Sequence, residues 1–325
     1  MDANMLEIRN LCVSYPADRG MVRAVEDVSL DVPKGQIAGI VGESGCGKST
    51  VARAVMGLIR RPGKITGGQI LLDGREINHL PEKEKSALRG AEISMIFQEP
   101  MTSLNPVIRV GRQVEEVIRL HEHIDGEAAR ERVLAMLEEV GIADPEERYS
   151  AYPHELSGGL RQRVMIAMAM ICRPKLLIAD EPTTALDVTV EAQILQLMRR
   201  LCDSGTSVLL ISHNLGVIAQ VCDRVSVMYA GRILESAETT EIFDRPTHPY
   251  TRGLLQASRS LRENREPLDT IPGMVPDQSR LPTGCAFAPR CGRCTDNCRQ
   301  RMPELREAFP GHPVRCFRAG EEAAG

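Results

Sequence analysis

The run Gly42-Glu43-Ser44-Gly45-Cys46-Gly47-Lys48-Ser49 fits the spacing G-x-x-x-x-G-K-[ST], with Thr50 next in line. Glycines at these places let backbone amides turn inward around phosphate oxygens, where a Cβ would clash. Lys48 can reach β and γ phosphates, and the Ser49 hydroxyl can ligate Mg²⁺. Such a site needs an acidic residue at the end of a strand, and Leu176-Leu-Ile-Ala-Asp180-Glu181 supplies it. Asp180 would hold Mg²⁺ through its water shell, and Glu181 is placed to polarise the water that attacks a γ phosphate. A third run, Leu156-Ser157-Gly158-Gly159-Leu-Arg-Gln162-Arg163, precedes a long helical stretch. It puts free amides and a hydroxyl at a helix start, a second anion site. One chain with one nucleotide has no need of two such helix starts. Two copies packed head to tail do, each closing on the other's nucleotide.

These loops need strands and helices to aim them. Leu6-Glu-Ile-Arg-Asn-Leu-Cys-Val13 alternates with period two and predicts a half-buried strand. A second strand, near Val28 to Val32, ends at the turn signal Pro33-Lys-Gly35. Ile37-Ala-Gly-Ile-Val41 is a continuous apolar run of the kind a fully buried parallel strand shows. It leads straight into the glycine loop and a helix predicted from Lys48 to about Ile59. From about Val110 to Val140, apolar residues at helical spacing predict a mostly helical insert. Leu176 to Ala179 and Val208 to Ser212 read as further buried strands, with a helix from Thr189 to Cys202 between them. Val225 to Tyr229 reads as another strand. Strands alternating with helices predict an α/β fold whose parallel sheet is covered on both faces.

Composition bounds the function. At 325 residues, 42% apolar and 26% charged, the chain suits one large α/β domain plus an appendage, or two modest domains. Aromatics at 3%, with no Trp, argue against stacking platforms for single-stranded nucleic acid. A net charge of −4 argues against a DNA-coating surface. The longest apolar run, Val164 to Cys172, is far short of the roughly 20 residues that cross a bilayer. The N-terminus carries neither a basic n-region nor an apolar h-region, so a chain without a secretory signal, soluble and cytosolic, is expected. Near residue 246 the composition shifts. Residues 251–325 hold 12 Arg and no Lys against 9 acidic residues, so this end is net positive while the rest is net negative. The expected division is a domain over 1–245, with its helical insert at about 105–160, and a small loop-rich module over 246–325. No internal repeat is visible.

Together the three phosphate and carboxylate motifs make the chain resemble the ATP-binding cassette (ABC) ATPases over roughly residues 5 to 240. Four further positions follow from the resemblance. Tyr15 corresponds to the aromatic that stacks on adenine, and Gln98, after Ile93-Ser-Met-Ile-Phe97, to the glutamine that touches Mg²⁺ and the attacking water. Asp187, in Thr184-Ala-Leu-Asp187, corresponds to the loop that communicates across the dimer, where an N-capping role is equally open. His213 corresponds to the histidine that contacts the γ phosphate. Every catalytic position holds the expected residue type, so the resemblance implies a competent ATPase using ATP and Mg²⁺.

The task that hydrolysis drives is narrowed by other stretches. Glu99-Pro-Met-Thr-Ser-Leu-Asn-Pro106, His248-Pro-Tyr-Thr251, Ile271-Pro-Gly273 and Gly284-Cys-Ala-Phe-Ala-Pro-Arg-Cys291 are similar to the ATPase subunits of dipeptide and oligopeptide ABC importers. The Asp180 stretch is closest to the first of the two ATPase subunits such importers carry. This implies a heterodimer with a second ABC ATPase, two transmembrane permease subunits and an extracytoplasmic solute-binding protein, with this chain peripheral on the cytoplasmic face of the membrane. The same branch also moves nickel chelates, glutathione and some sugars, because specificity lies in the binding protein and pore. A soluble ABC ATPase acting on nucleic acid or ribosomes is the rival class. Such proteins usually carry two cassettes or a long coiled-coil insert, whereas this chain has one cassette and no sustained heptad run, so no nucleic-acid partner is expected.

The chain has ten cysteines, and five of them follow the pattern C-x5-C-x2-C-x3-C-x17-C from Cys285 to Cys316. In a reducing compartment that clustering points to metal more than to disulfides. Zinc favours two C-x2-C pairs, and only Cys291 and Cys294 make one. Iron–sulfur clusters accept wider spacing. The importer resemblance implies a 4Fe–4S cluster on Cys285, Cys291, Cys298 and Cys316, with Cys294 departing from the pattern and zinc as the alternative.

Overall fold

The computed structural model describes residues 4–17, 20–98, 103–184, 186–262 and 270–321. Glu99 to Thr102 and Ala185, within stretches quoted above, lie outside the described residues. The chain opens with β1 (Asn4–Ala17), β2 (Gly20–Pro33), β3 (Ile37–Val41), α1 (Lys48–Val55), β4 (Lys64–Leu72) and β5 (Arg75–Glu76). Next come α2 (Glu82–Leu88), β6 (Ile93–Ile96), α3 (Val110–His121), α4 (Gly126–Glu139), α5 (Pro145–Ser150) and α6 (Gly158–Met170). The central strands and helices continue with β7 (Leu176–Asp180), α7 (Val188–Asp203), β8 (Ser207–Ser212), α8 (Leu215–Val221), β9 (Arg224–Tyr229) and β10 (Arg232–Glu238). The chain closes with α9 (Thr239–Asp244), α10 (Pro249–Arg262), α11 (Asp296–Gln300), β11 (Arg306–Phe309) and β12 (His312–Val314).

The larger sheet runs β11-β12-β10-β9-β3-β8-β7-β6. Its heart, from β9 to β6, is parallel. Every residue of β3, β7 and β8 is buried, which explains why these strands read as unbroken apolar runs. A second sheet, β2-β1-β4-β5, is antiparallel. The period-two alternation of β1 fits it, since only one face of that strand need be apolar. Parallel topology is confined to the larger sheet and does not extend to this N-terminal part.

Helix α1 stops at Val55, short of Ile59. Gly57 takes a left-handed φ of 64°. Leu58 N–H bonds Arg53 O and Gly57 N–H bonds Ala54 O. This is a Schellman ending, which a glycine just past the last turn permits. The helical insert is a bundle of α3, α4 and α5, broken where Asp125 caps α4 by accepting from the amides of Glu127 and Ala128. Val114, Ile118, Val133, Met136 and Leu137 bury its inner face. Among the described residues, no helix is long and apolar enough to cross a membrane.

The C-terminal residues are built into the main core. Helix α10 brings Tyr250 to complete burial, where its ring packs 4.6 Å from Tyr229 and 5.4 Å from Phe287. The predicted loop-rich character holds for residues 270–321, which have only short elements, and not for 249–262, which form α10. The β11–β12 hairpin adds to the outer edge of β10 through the pair Glu235 and Val314. Beneath it, the fully buried Glu235 carboxylate accepts from Thr247 N at 2.6 Å and His248 N at 2.9 Å and lies 2.7 Å from His312 Nε2. Burial works to raise that carboxyl, but these bonds outweigh it and hold Glu235 below its ordinary value.

Candidate active site

The glycine loop leaves the carboxyl end of β3 and closes onto the start of α1, the place where α/β sheets bind ligands. Two of its glycines are obligatory. A Cβ on Gly42 would stand 2.1 Å from Met228 O, and one on Gly47, at φ 109°, would stand 2.4 Å from Ala24 O. Ser44 and Gly45 are exposed at the crest, Cys46 is fully buried beneath it, and Thr50 N–H bonds back to Gly47 O. The buried Lys48 ammonium donates to Gly42 O at 2.7 Å and Glu43 O at 3.1 Å, so its positive charge fills the cradle.

Ser49 Oγ donates to Asp180 Oδ1 at 3.0 Å, joining the loop to the end of β7. Burial pushes the Asp180 carboxyl up, and the adjacent Glu181 charge adds to the effect against the pull of the Ser49 bond. Hydroxyl and carboxylate oxygens set this close fit a hard divalent cation such as Mg²⁺.

Gln98, Glu181 and His213 follow β6, β7 and β8, three neighbouring strands. Glu181 sits in the left-handed region at φ 50°, which turns its side chain off the strand line. Its Oε2 accepts from Gln98 Nε2 at 2.9 Å and Thr184 Oγ1 at 3.1 Å, and its Oε1 lies 3.2 Å from His213 Nδ1. The carboxylate is thus aimed from three directions while remaining 12% exposed, an arrangement suited to taking a proton from water. Thr184 was not singled out by sequence; a hydroxyl three residues after Glu181 is the signal that would have found it.

Other expected positions fall farther out. Tyr15 lies near the end of β1 with its ring on Gly63, where a Cβ would come within 2.2 Å of Cε1. Ser157 caps α6 by accepting from Leu160 N at 3.3 Å, and Ser157 and Gly158 are exposed, with nothing within 4 Å of an added Cβ at Gly158. Gly159 abuts Val190 of α7, and Asp187 caps that helix through Val190 N at 2.9 Å. Gln162 is buried away from this exposed rim, and its Nε2 has no hydrogen-bond partner among the described residues. No hydrogen bond among the described residues joins Ser157, Gly158 or Gly159 to the glycine loop.

Cys285, Cys291, Cys298 and Cys316 line one small cavity, and Cys294 is not among its lining residues. Burial pushes the Cys285 thiol up to about 11 and also raises Cys291 and Cys316. Cys285 N–H bonds Cys298 O at 2.7 Å, and Thr295 Oγ1 stands 3.2 Å from Cys298 Sγ. The Cys294 thiol turns to Thr295 O at 3.5 Å. Among the described residues, no three His, Cys, Asp or Glu side chains form a group that could hold a metal ion. The cavity wall carries these four cysteines together with His248, and no carboxylate lines it.

Comparison with known proteins gives a consistent picture. Residues 25–184 match the family described as ABC transporter, and residues 234–298 match the oligopeptide/dipeptide transporter C-terminal region. The chain is 49% identical to the oligopeptide transport ATP-binding protein OppD of Salmonella typhimurium, covering 98% of this chain and 95% of that protein. It is 48% identical to the dipeptide transport ATP-binding protein DppD of Bacillus subtilis, over 98% of this chain and 96% of that one. The dimeric structure of MJ0796, a bacterial ABC transporter cassette, superposes with a TM-score of 0.66 at 28% identity, covering 72% of this chain and 99% of the cassette.

Proposed function

Because the chain belongs to the ABC transporter family, in its oligopeptide and dipeptide branch, we propose that it is the ATP-hydrolysing, energy-coupling subunit of a di/oligopeptide importer. It works at the cytoplasmic face of the membrane with a second ATPase subunit, two permease subunits and an extracytoplasmic solute-binding protein. An apolar groove lined by Met56, Met95, Phe97, Val117, Met165 and Met168 lies between the sheet and the helical insert, and it supports a seat for a permease segment. Phe97 in that groove is 43% exposed.

The observation that carries the reading is the convergence of Gln98, Thr184 and His213 on Glu181, beside the Ser49–Asp180 pair. In turnover Lys48 exchanges its carbonyl partners for phosphate oxygens. Ser49, Asp180 and Gln98 would hold Mg²⁺, which would supply charge neutralisation on the phosphates. Glu181 accepts the proton of the attacking water, and His213 steadies that carboxylate and meets the γ phosphate. Tyr15 takes the adenine. Ser157, Gly158 and Gly159 face the partner subunit's nucleotide, and Asp187 lies at the same dimer seam.

Cys285, Cys291, Cys298 and Cys316 are proposed to hold a 4Fe–4S cluster. Four thiols lining one cavity support a thiolate-held group there. When bound it supplies iron–thiolate bonds that staple the loops of residues 270–321. The test of function is ATPase activity of the assembled complex with its solute-binding protein. Stimulation by di- and oligopeptides is expected. Stimulation by nickel chelates, glutathione or sugars alone would reassign the solute, and a response to DNA, RNA or ribosomes without permease would overturn transport.

A further inference from the structure

The glycine loop carries a carboxylate at Glu43, an awkward charge for a loop that must bind a polyanion. That carboxylate is met by Arg290, 247 residues downstream, whose Nη1 and Nη2 reach its two oxygens at 2.7 and 3.1 Å. The Arg290 side chain is only 5% exposed, while Glu43 is 25% exposed. The same guanidinium donates to Pro272 O at 2.9 Å and Ile271 O at 3.2 Å and lies 3.3 Å from the Tyr229 hydroxyl. It is therefore anchored on its own side and offers a fixed two-pronged face to Glu43. Two more contacts hold the same loop from the same side. Glu43 N–H donates to Tyr250 Oη at 3.0 Å, and Gln278 Nε2 donates to Gly45 O at 2.8 Å.

The geometry points to Arg290 as a positioning residue for ATP binding: it cancels and aims the Glu43 charge so that the loop presents Lys48 and its amides to the triphosphate without a competing anion. Arg290 directly precedes Cys291 in the short turn Ala288–Arg290.

A purely structural role and this electrostatic role part company in a rescue experiment on the full-length chain, purified anaerobically, with MgATP as the probe. Arg290→Gln should raise the ATP KM about tenfold with kcat at saturation little changed, because it leaves the Glu43 charge unmasked beside an anion site. Measured against Glu43→Gln as its reference, the double variant Arg290→Gln/Glu43→Gln should recover most of the loss, since the unmasked charge is gone. A native KM in Arg290→Gln overturns the proposal, and so does a double variant as weak as Arg290→Gln. Arg290→Lys, which keeps the charge but loses the fork, serves if the glutamine variant does not fold. It should show a smaller rise in KM, and an unchanged KM again overturns the role.

Discussion

Glu181 Oε1 stands 3.2 Å from Nδ1 of His213, the two residues following neighbouring parallel strands β7 and β8. On the proposed reading, Glu181 as base is held by a group that also faces the γ phosphate. Glu181→Gln should keep nucleotide affinity but lower turnover on the order of 10²–10⁴-fold, the usual effect of removing a general base. ATP should be trapped between closed subunits. Steady-state ATPase rates with nucleotide-binding titrations check this, and a native rate in Glu181→Gln would show that another group takes the proton.

Ser157 is exposed and makes no hydrogen bond to its own glycine loop among the described residues. Ser157→Arg should therefore damage hydrolysis at the partner's nucleotide and spare the site containing Lys48. Mixed complexes with one catalytically dead subunit at a time separate the two sites. A defect that stays with this chain's own nucleotide would refute head-to-tail pairing.

Much of the candidate site is legible because each part is a local pattern. The glycine loop, Asp180-Glu181 and the strand-end positions of Gln98 and His213 depend on residues close by in sequence and on a buried run beside them. Arg290 and Glu235 were not legible. An arginine in an Arg-rich stretch reads as solvated, and Arg290 is buried only because Glu43, Tyr229 and Pro272 converge on it. A glutamate in Ile233-Leu-Glu-Ser reads as an outward strand residue, and its partners lie 12 to 77 positions away. The hairpin strands Arg306–Phe309 and His312–Val314 are short and contain Pro313, so no alternation announces them. Gln162 belongs to a run whose first residues are exposed, yet helical rotation carries it inside.

The cavity separates Cys316 from Cys294. An anaerobic preparation should be brown, with broad absorbance near about 400 nm and about four irons per chain. Cys316→Ser should lose the colour and Cys294→Ser should keep it. Metal analysis with visible spectra decides, and a colourless chain with one zinc would favour the alternative ligand.

Glu235 sets an acid limit on the docking of the C-terminal hairpin. Its folded value lies below the ordinary carboxylate value, so its stabilisation is complete above the unfolded pKa of about 4.5 and is lost as pH falls through the lower folded value. Glu235→Gln should cost about 3 kcal/mol at neutral pH, because it strips His312 and two amides of a buried charged acceptor. It should also flatten the stability profile below about pH 4.5. Denaturant titrations across that range measure both effects, and an unflattened acid limb would place the titration on another group.

The pairing of β12 with β10 also decides how the cassette behaves in solution. Without the hairpin, β10 would be a bare rim of unpaired amides and carbonyls flanked by the apolar Ile233 and Leu234, a template for strand addition by another chain. With it, the rim passes to β11, a four-residue strand bearing Arg306 and Glu307, which is too short and too charged to recruit a stranger. The β11–β12 hairpin thereby acts as a guard against strand addition, independent of anything it does for the nucleotide.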